Sequence, residues 1–287
     1  MKISGFTFIR NALEFDYPVT QSIRSILPIC DEFIVNVGDS NDGTIELIES
    51  INDPKVKIIT TKWNDLLRTK GFVYGQQKTI AHYSCTGDWA FYLEGDEVVH
   101  EDDLPKIYDA MRRNLDNSEV EALVFDYLHF YGNHNTYLES PAWYRRAPRI
   151  IRNTIRAYAP DGLFFVVLDS NKKGRYPKAA LAGATIYHYG WARQERHMNL
   201  KSMSVQRYWN KAHKEISYGD IDPAILKEFK GTHPAAIKDW LPEVPPSLEL
   251  NPCYRLSMRD RRQRVKMLVE RLTGLDLSKK HFKIVSA

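Results

Sequence analysis

Gly87-Asp88-Trp89-Ala90-Phe91-Tyr92-Leu93-Glu94-Gly95-Asp96-Glu97 is the stretch on which the reading of this chain turns. Trp89 to Leu93 is apolar or aromatic throughout and short enough for a buried strand. The chain then drops into Glu94, Asp96 and Glu97, with Gly95 between them. A hydrophobic strand that ends in clustered carboxylates sets hard oxygen ligands at the lip of a sheet, where open α/β sheets bind their ligands. Carboxylates in that position suit a divalent cation, and the cation in turn suits a phosphate. The competing reading is a polar strand end followed by an acidic helix start favoured by the helix dipole, with Glu97 opening the helix.

Upstream of this stretch, residues 3–9, 32–37 and 55–61 read as strands. They alternate with helices opened by Pro18, by Thr44 and near Gly75. The first strand runs into Arg10-Asn11-Ala12 and not into a glycine-rich turn, which counts against a dinucleotide-binding fingerprint. Residues 62–74 show no clear period. Downstream, Leu104, Ile107, Tyr108, Met111 and Leu115 recur at helical spacing. Four rounds of strand then helix predict an α/β fold with a mostly parallel central sheet.

After Asn117 the pattern changes. Residues 120–131 are a long β-prone run ending in a turn-rich Gly132-Asn133-His134-Asn135. Short strands are expected at 150–151, 163–168 and 184–189, and a helix over 194–214. Pro242, Pro245, Pro246 and Pro252 mark a linker-like segment, and residues 255–272 read as a strongly basic helix.

Composition narrows the class of protein. With 287 residues, 43% hydrophobic and 26% charged, the chain has the makeup of a globular protein, and its net charge of +4 implies no acidic partner overall. Cys30, Cys85 and Cys253 have the spacing of neither a zinc site nor a disulfide framework. No signal-peptide pattern or membrane-spanning run is visible, so a cytoplasmic location is expected.

The order of these motifs resembles family 2 glycosyltransferases of the GT-A fold. The resemblance rests on a first strand ending near Asn11, the loop Ser40-Asn41-Asp42-Gly43-Thr44 after the second strand, and a Gly-Asp-Trp strand ending in acids. It covers about the first 130 residues well and the remainder loosely. It implies a GT-A, Rossmann-like catalytic domain over 1–195, followed by a mainly helical extension over 196–287 that is basic near its end. It also implies transfer of a sugar from a nucleoside diphosphate sugar to a hydroxyl acceptor with the help of Mn²⁺ or Mg²⁺.

Carried over position by position, the resemblance puts Asn11, Asp39 and Asp42 toward the nucleotide. Gln77 falls where the family often has an amide-rich helix start. Glu94-Gly95-Asp96 replaces the usual Asp-x-Asp, so Asp96 is the expected principal metal ligand and Glu94 the second. His188 stands where related enzymes place a late metal-binding or diphosphate-binding histidine. Arg193, and with it Arg196, suits a departing diphosphate. Asp161 is the expected general base, with Asp169 and Glu139 as alternatives. The family's acid two residues before the loop glycine is absent here, where Asn36-Val37-Gly38-Asp39 stands, so a uridine donor is not implied.

Other readings come from other classes. One is a catalytically silent domain of this fold that only binds a nucleotide sugar or glycan. The other is a protein that binds anionic surfaces through its basic C-terminal region. That region, with Arg259, Arg261, Arg262, Arg264 and Lys266, is also the expected point of any peripheral membrane contact. It carries no nucleic-acid motif, and no nucleic-acid partner is expected.

Overall fold

Ile3–Ile9 forms β1, whose side chains are buried almost throughout. On one side it pairs in parallel with β2 (Glu32–Gly38), and β3 (Val56–Thr61) lies parallel beyond β2. On its other side β1 pairs in parallel with β4 (Trp89–Tyr92). The chain therefore builds outward from β1 to β3 and then returns to the opposite flank. Such a reversal opens a crevice at the carboxyl ends of β1 and β4.

Beyond β4 the sheet is mixed. β8 (Arg146–Arg152) lies antiparallel between β4 and β6 (Ala122–Tyr131). The long strand β12 (Lys178–Trp191) runs parallel to β6. β5 (Glu97–Val99) is antiparallel to β12, β7 (Asn133–Leu138) to β6 and β13 (Leu226–Glu228) to β7, while β14 (Lys283–Ile284) pairs in parallel with β12. A separate small sheet holds β9 (Ala157–Tyr158), β10 (Val166–Leu168) and β11 (Gly174–Arg175). The computed structural model describes residues 1–285.

Alternation along the central strands feeds two apolar layers. Phe33, Val35 and Phe91 face α1 (Val19–Ile26), α2 (Thr44–Glu49) and α4 (Leu104–Arg113), meeting Ile23, Ile48, Ile107 and Met111. Phe6, Ile34 and Tyr92 face the other way, toward Ala81 of α3 (Phe72–Tyr83) and toward Phe165. α1 stops where Pro28 withholds a backbone N–H, and the chain tightens into a 3₁₀ turn over Leu27–Ile29.

Several expectations change. Glu97 does not open a helix. It begins β5, because Val98 and Val99 find a partner in β12. The polar run after Tyr131 turns only at Gly132, and Asn133 already starts β7. The helix expected over 194–214 is α5 (Glu195–Arg207), and the chain reverses just beyond it at Asn210, in the left-handed region. The basic helix is α6 (Met258–Thr273). Between α5 and α6 the chain holds short 3₁₀ turns and β13, so helix is a minor part of the extension.

Candidate active site

A cavity of about 530 Å³ lies at the ends of β1 and β4, lined by Asn11, Trp63, Glu94, Asp96, Asp161 and Lys201 among others. Much of one wall comes from residues 200–209, so α5 and the turn after it close the crevice that the sheet opens.

Asp96 is 1% exposed. Its Oδ2 accepts from Arg193 Nη2 and from Lys201 Nζ, both at 2.7 Å. Those two cations also lie over the Tyr17 ring, 4.5 and 4.8 Å from its centroid. Burial alone would raise the Asp96 carboxyl, but Lys201, His188 and Arg193 outweigh it and hold the group well below the usual carboxylate range.

The neighbouring acids share Arg149. Its Nε and Nη2 take Glu97 Oε2 and Oε1 at 2.7 and 2.5 Å, and Nη2 also reaches Glu94 Oε1 at 2.9 Å. Tyr127 Oη donates to Glu97 Oε1 at 2.8 Å, and the Glu94 amide donates to Glu97 Oε2 at 3.0 Å. Burial works against the charge on Glu97, yet Arg149 keeps its carboxyl lowered. Glu94 is raised by burial first and then by the charge on Glu97. Glu94, Asp96 and Glu97 thus face Arg149, Arg193 and Lys201 as a charge-matched set.

Sheet register supplies the remaining group. His188 of β12 stands opposite Glu97 of β5 on one side and His129 of β6 on the other. His129 Nε2 lies 2.8 Å from the Tyr144 carbonyl, which can only accept, so that nitrogen carries the proton. Burial, reinforced by His188, lowers His129 to about 3, so its ring is neutral and its Nδ1 is an acceptor. His188 Nδ1, at 2.8 Å, must therefore donate to it. The relay leaves His188 Nε2 facing Asp96 Oδ1 at 3.6 Å.

Gly190 makes room for this approach. A Cβ there would come within 2.4 Å of His188 Nε2 and 3.2 Å of Asp96 Oδ2.

The structure brings Glu94, Asp96, His188 and Arg193 together and treats the other expected residues differently. Asn11 lines the cavity in a left-handed conformation, its amide donating to Ser40 Oγ at 3.0 Å. Asp161 also lines the cavity, in a turn where Oδ1 accepts from Leu163 N at 3.0 Å. Burial raises its carboxyl. Asp42 accepts from the backbone of Glu14 and Thr44 at 2.9 and 3.1 Å, which is turn chemistry. Asp39 is exposed beside Arg10, with Oδ1 3.3 Å from Arg10 Nε.

Gln77 is not among the cavity-lining residues. It is 1% exposed, and its Oε1 accepts from Asn36 and Thr61 at 2.9 and 2.6 Å, tying α3 to β2 and β3. Asp169 pairs with Arg175 and Glu139 with Lys227, while Arg196 is exposed on α5.

Four residues escaped the sequence reading. Arg149 is 1% exposed and anchors two acids. His129 interrupts the apolar alternation of β6, a signal that was available. Lys201 gives none, being one lysine on a polar helix. Asp65, in the unassigned segment, takes Arg10 Nη1 at 2.8 Å and Tyr208 Oη at 2.5 Å, joining the end of β1 to the turn after α5.

Several known proteins are similar to this chain over part of its length. An uncharacterized glycosyltransferase of Rickettsia typhi is 27% identical over 101 residues, 35% of this chain and 30% of that protein, so the chain spans less than a third of that relative's length. S. aureus TarS 1–349 superposes with a TM-score of 0.41 at 13% identity, over 73% of this chain and 71% of that one. Glucosyl-3-phosphoglycerate synthase from Mycobacterium tuberculosis, solved with Mn²⁺, UDP and glucosyl-3-phosphoglycerate, gives 0.32 at 17% identity, over 46% and 45%. The model for "Glycosyl transferase family 2" matches residues 18–165, just over half of the sequence and the part that contributes Glu94, Asp96, His129 and Arg149; the chain belongs to that family.

Proposed function

We propose that this protein is a metal-dependent glycosyltransferase that moves a sugar from a nucleoside diphosphate sugar to a hydroxyl acceptor. Residues 1–195 form its catalytic body, and the first part of the 196–287 extension completes the donor cavity. The observation that carries the reading is the histidine relay. It turns His188 Nε2 toward a buried carboxylate oxygen 3.6 Å away, a pairing that needs a cation or a proton between its two atoms.

The donor set fits a divalent cation. Glu94, Asp96 and His188 each offer one ligand atom, all within 4.8 Å of one another. Mixed oxygen and imidazole ligands suit Mn²⁺ somewhat better than Mg²⁺. Asp96 uses Oδ2 for Arg193 and Lys201, which leaves Oδ1 for the ion. His129 acts as the outer partner that orients a ligating histidine. When bound, the ion supplies Lewis-acid stabilisation of the departing diphosphate.

The chain's own residues do the rest. Lys201 and Arg193 hold Asp96 ionised, and Lys201 stands at the cavity wall, where a diphosphate adds negative charge. Asn11 faces the nucleotide at the end of β1. Asp161, raised by burial, is suited to take the proton from the acceptor hydroxyl in an inverting transfer.

The test is thermal stabilisation by a panel of nucleoside diphosphate sugars, with and without Mn²⁺, followed by transfer assays on wild type and Asp96→Asn. One nucleotide should stabilise the protein only with metal, and Asp96→Asn should lower turnover by about a thousandfold, the equivalent of several kcal/mol. Full activity in excess EDTA, or unimpaired turnover in the variant, overturns the mechanism. Donor binding with no transfer across a broad acceptor panel would favour a silent binding domain.

A further inference from the structure

α6 is a fully formed helix that buries none of its residues. It is held by its ends and by two ion-paired anchors. Ser257 and Asp260 make a reciprocal capping box, and Gly274 closes the far end in the left-handed region. Arg264 grips Asp222 through two bonds of 2.8 Å, and Glu270 grips Arg145 through two more of 2.8 Å. Asp260, Gln263, Met267 and Glu270, all half-buried, mark the side turned toward the protein.

The amphipathic pattern is therefore inside out. Val265, Leu268 and Leu272 follow the helical repeat with Met258, and they are 62, 57, 76 and 66% exposed. Both acids of the helix are spent inward, Asp260 on the cap and Glu270 on Arg145. Arg259, Arg261, Arg262, Lys266 and Arg271 are exposed, and among the described residues none of them pairs with an acid. The outward surface is thus an apolar stripe accompanied by exposed cations and by no acid of the helix.

We propose that α6 is a membrane-docking element that lies in the plane of an anionic lipid surface. The apolar stripe enters the headgroup–acyl boundary while the five cations meet lipid phosphates, the long arginine side chains reaching outward as they do at such interfaces. Charge selects this occupant. A second copy docked face to face would oppose cations with cations. A nucleic acid would leave the apolar stripe unused, and α6 has no aromatic side chain on which a base could stack. Among the described residues no helix is long and apolar enough to cross a membrane, so this contact is peripheral. The inference stands on α6 alone and does not rest on the glycosyl-transfer reading.

The full chain should co-sediment with vesicles of phosphatidylcholine containing 30 mol% phosphatidylglycerol, about tenfold or more above its binding to pure phosphatidylcholine. Raising the salt tenfold should weaken that binding. Arg261→Glu/Arg262→Glu and, separately, Leu268→Gln/Leu272→Gln should each reduce it about tenfold or more while melting temperature and donor binding stay unchanged, since all four positions are exposed. Equal binding of wild type and both variants to the anionic vesicles overturns the proposal. So does failure of wild type to bind them, a dimer abolished by Leu268→Gln/Leu272→Gln, or tighter binding to single-stranded RNA than to the vesicles.

Discussion

Two strand ends in this protein are rich in acids, and they behave in opposite ways. After β2, Asp39 and Asp42 lie in a polar loop whose acids are used within reach: Asp42 takes backbone amides of Glu14 and Thr44, and Asp39 pairs with nearby Arg10. After β4, Glu94, Asp96 and Glu97 are matched by Arg149, Arg193 and Lys201, drawn from β8, the turn after β12 and α5. Partly exposed acids satisfied by backbone amides and by the adjoining loop after β1 do structural work that any turn needs. Buried acids satisfied by cations from three distant segments represent a cost that local structure does not require, and such clusters mark functional sites.

The comparison breaks most sharply at Glu97. Glu97→Gln leaves Arg149 buried with one weakened partner, which should destabilise the fold by about 3–5 kcal/mol. Denaturant unfolding measures it, and a change no larger than that of a surface substitution would show that the cluster is not an interdependent unit. His129→Phe sharpens the comparison from the other side. It removes the acceptor that fixes the His188 proton, and Mn²⁺ affinity should fall about 10–100-fold with the fold retained. Isothermal titration reads this directly, and unchanged affinity would detach His129 from the metal reading.

Glu32 tests whether a buried, multiply bonded acid is enough to make a site. It lies at the opposite end of β2, away from the cavity. Burial opposes its charge, but Lys57, Thr86 and Ser4 prevail and lower its carboxyl to about 2. The folded value lies below the unfolded 4.5, so the stabilisation is present above pH 4.5 and is lost as pH falls toward 2. Wild type should melt above Glu32→Gln at neutral pH, with the gap closing on acidification and donor binding equal throughout. A gap that stays constant with pH would refute the ionic account. The smallest effect is expected at Asp42→Ala, about 1 kcal/mol from lost turn and capping bonds, with the Michaelis constant for donor almost unchanged. A large rise in that constant would move Asp42 from turn to nucleotide contact.

The elements legible in the sequence were those whose cause is local. β1 to β4, α1, α2 and α4 follow apolar periods that need no partner to be recognised, and the family motif of residues 40–44 sits on the same framework. α3, expected to open near Gly75, opens at Phe72 inside the segment without a clear period. β5 was not legible, because a three-residue strand exists only through its pairing with β12. For the site, Glu94 and Asp96 announced themselves as acids at a strand end. Lys201 did not, since its reach to Asp96 depends on how α5 folds back across 105 residues of chain. Gln77 shows the converse error. A motif position can be occupied by a side chain whose hydrogen bonds are already spent inside the fold.

One consequence follows from the cross-strand row of Glu97, His188 and His129. Side chains in a strand alternate between faces, so a single-residue insertion or deletion in β12 before His188 would turn the imidazole to the opposite side of the sheet. β12 already contains irregularities between Leu181 and Thr185 and between His188 and Trp191, which bracket the histidine and re-phase the strand around it. Changes of chain length across related sequences should therefore stop at the borders of the segment from Thr185 to His188.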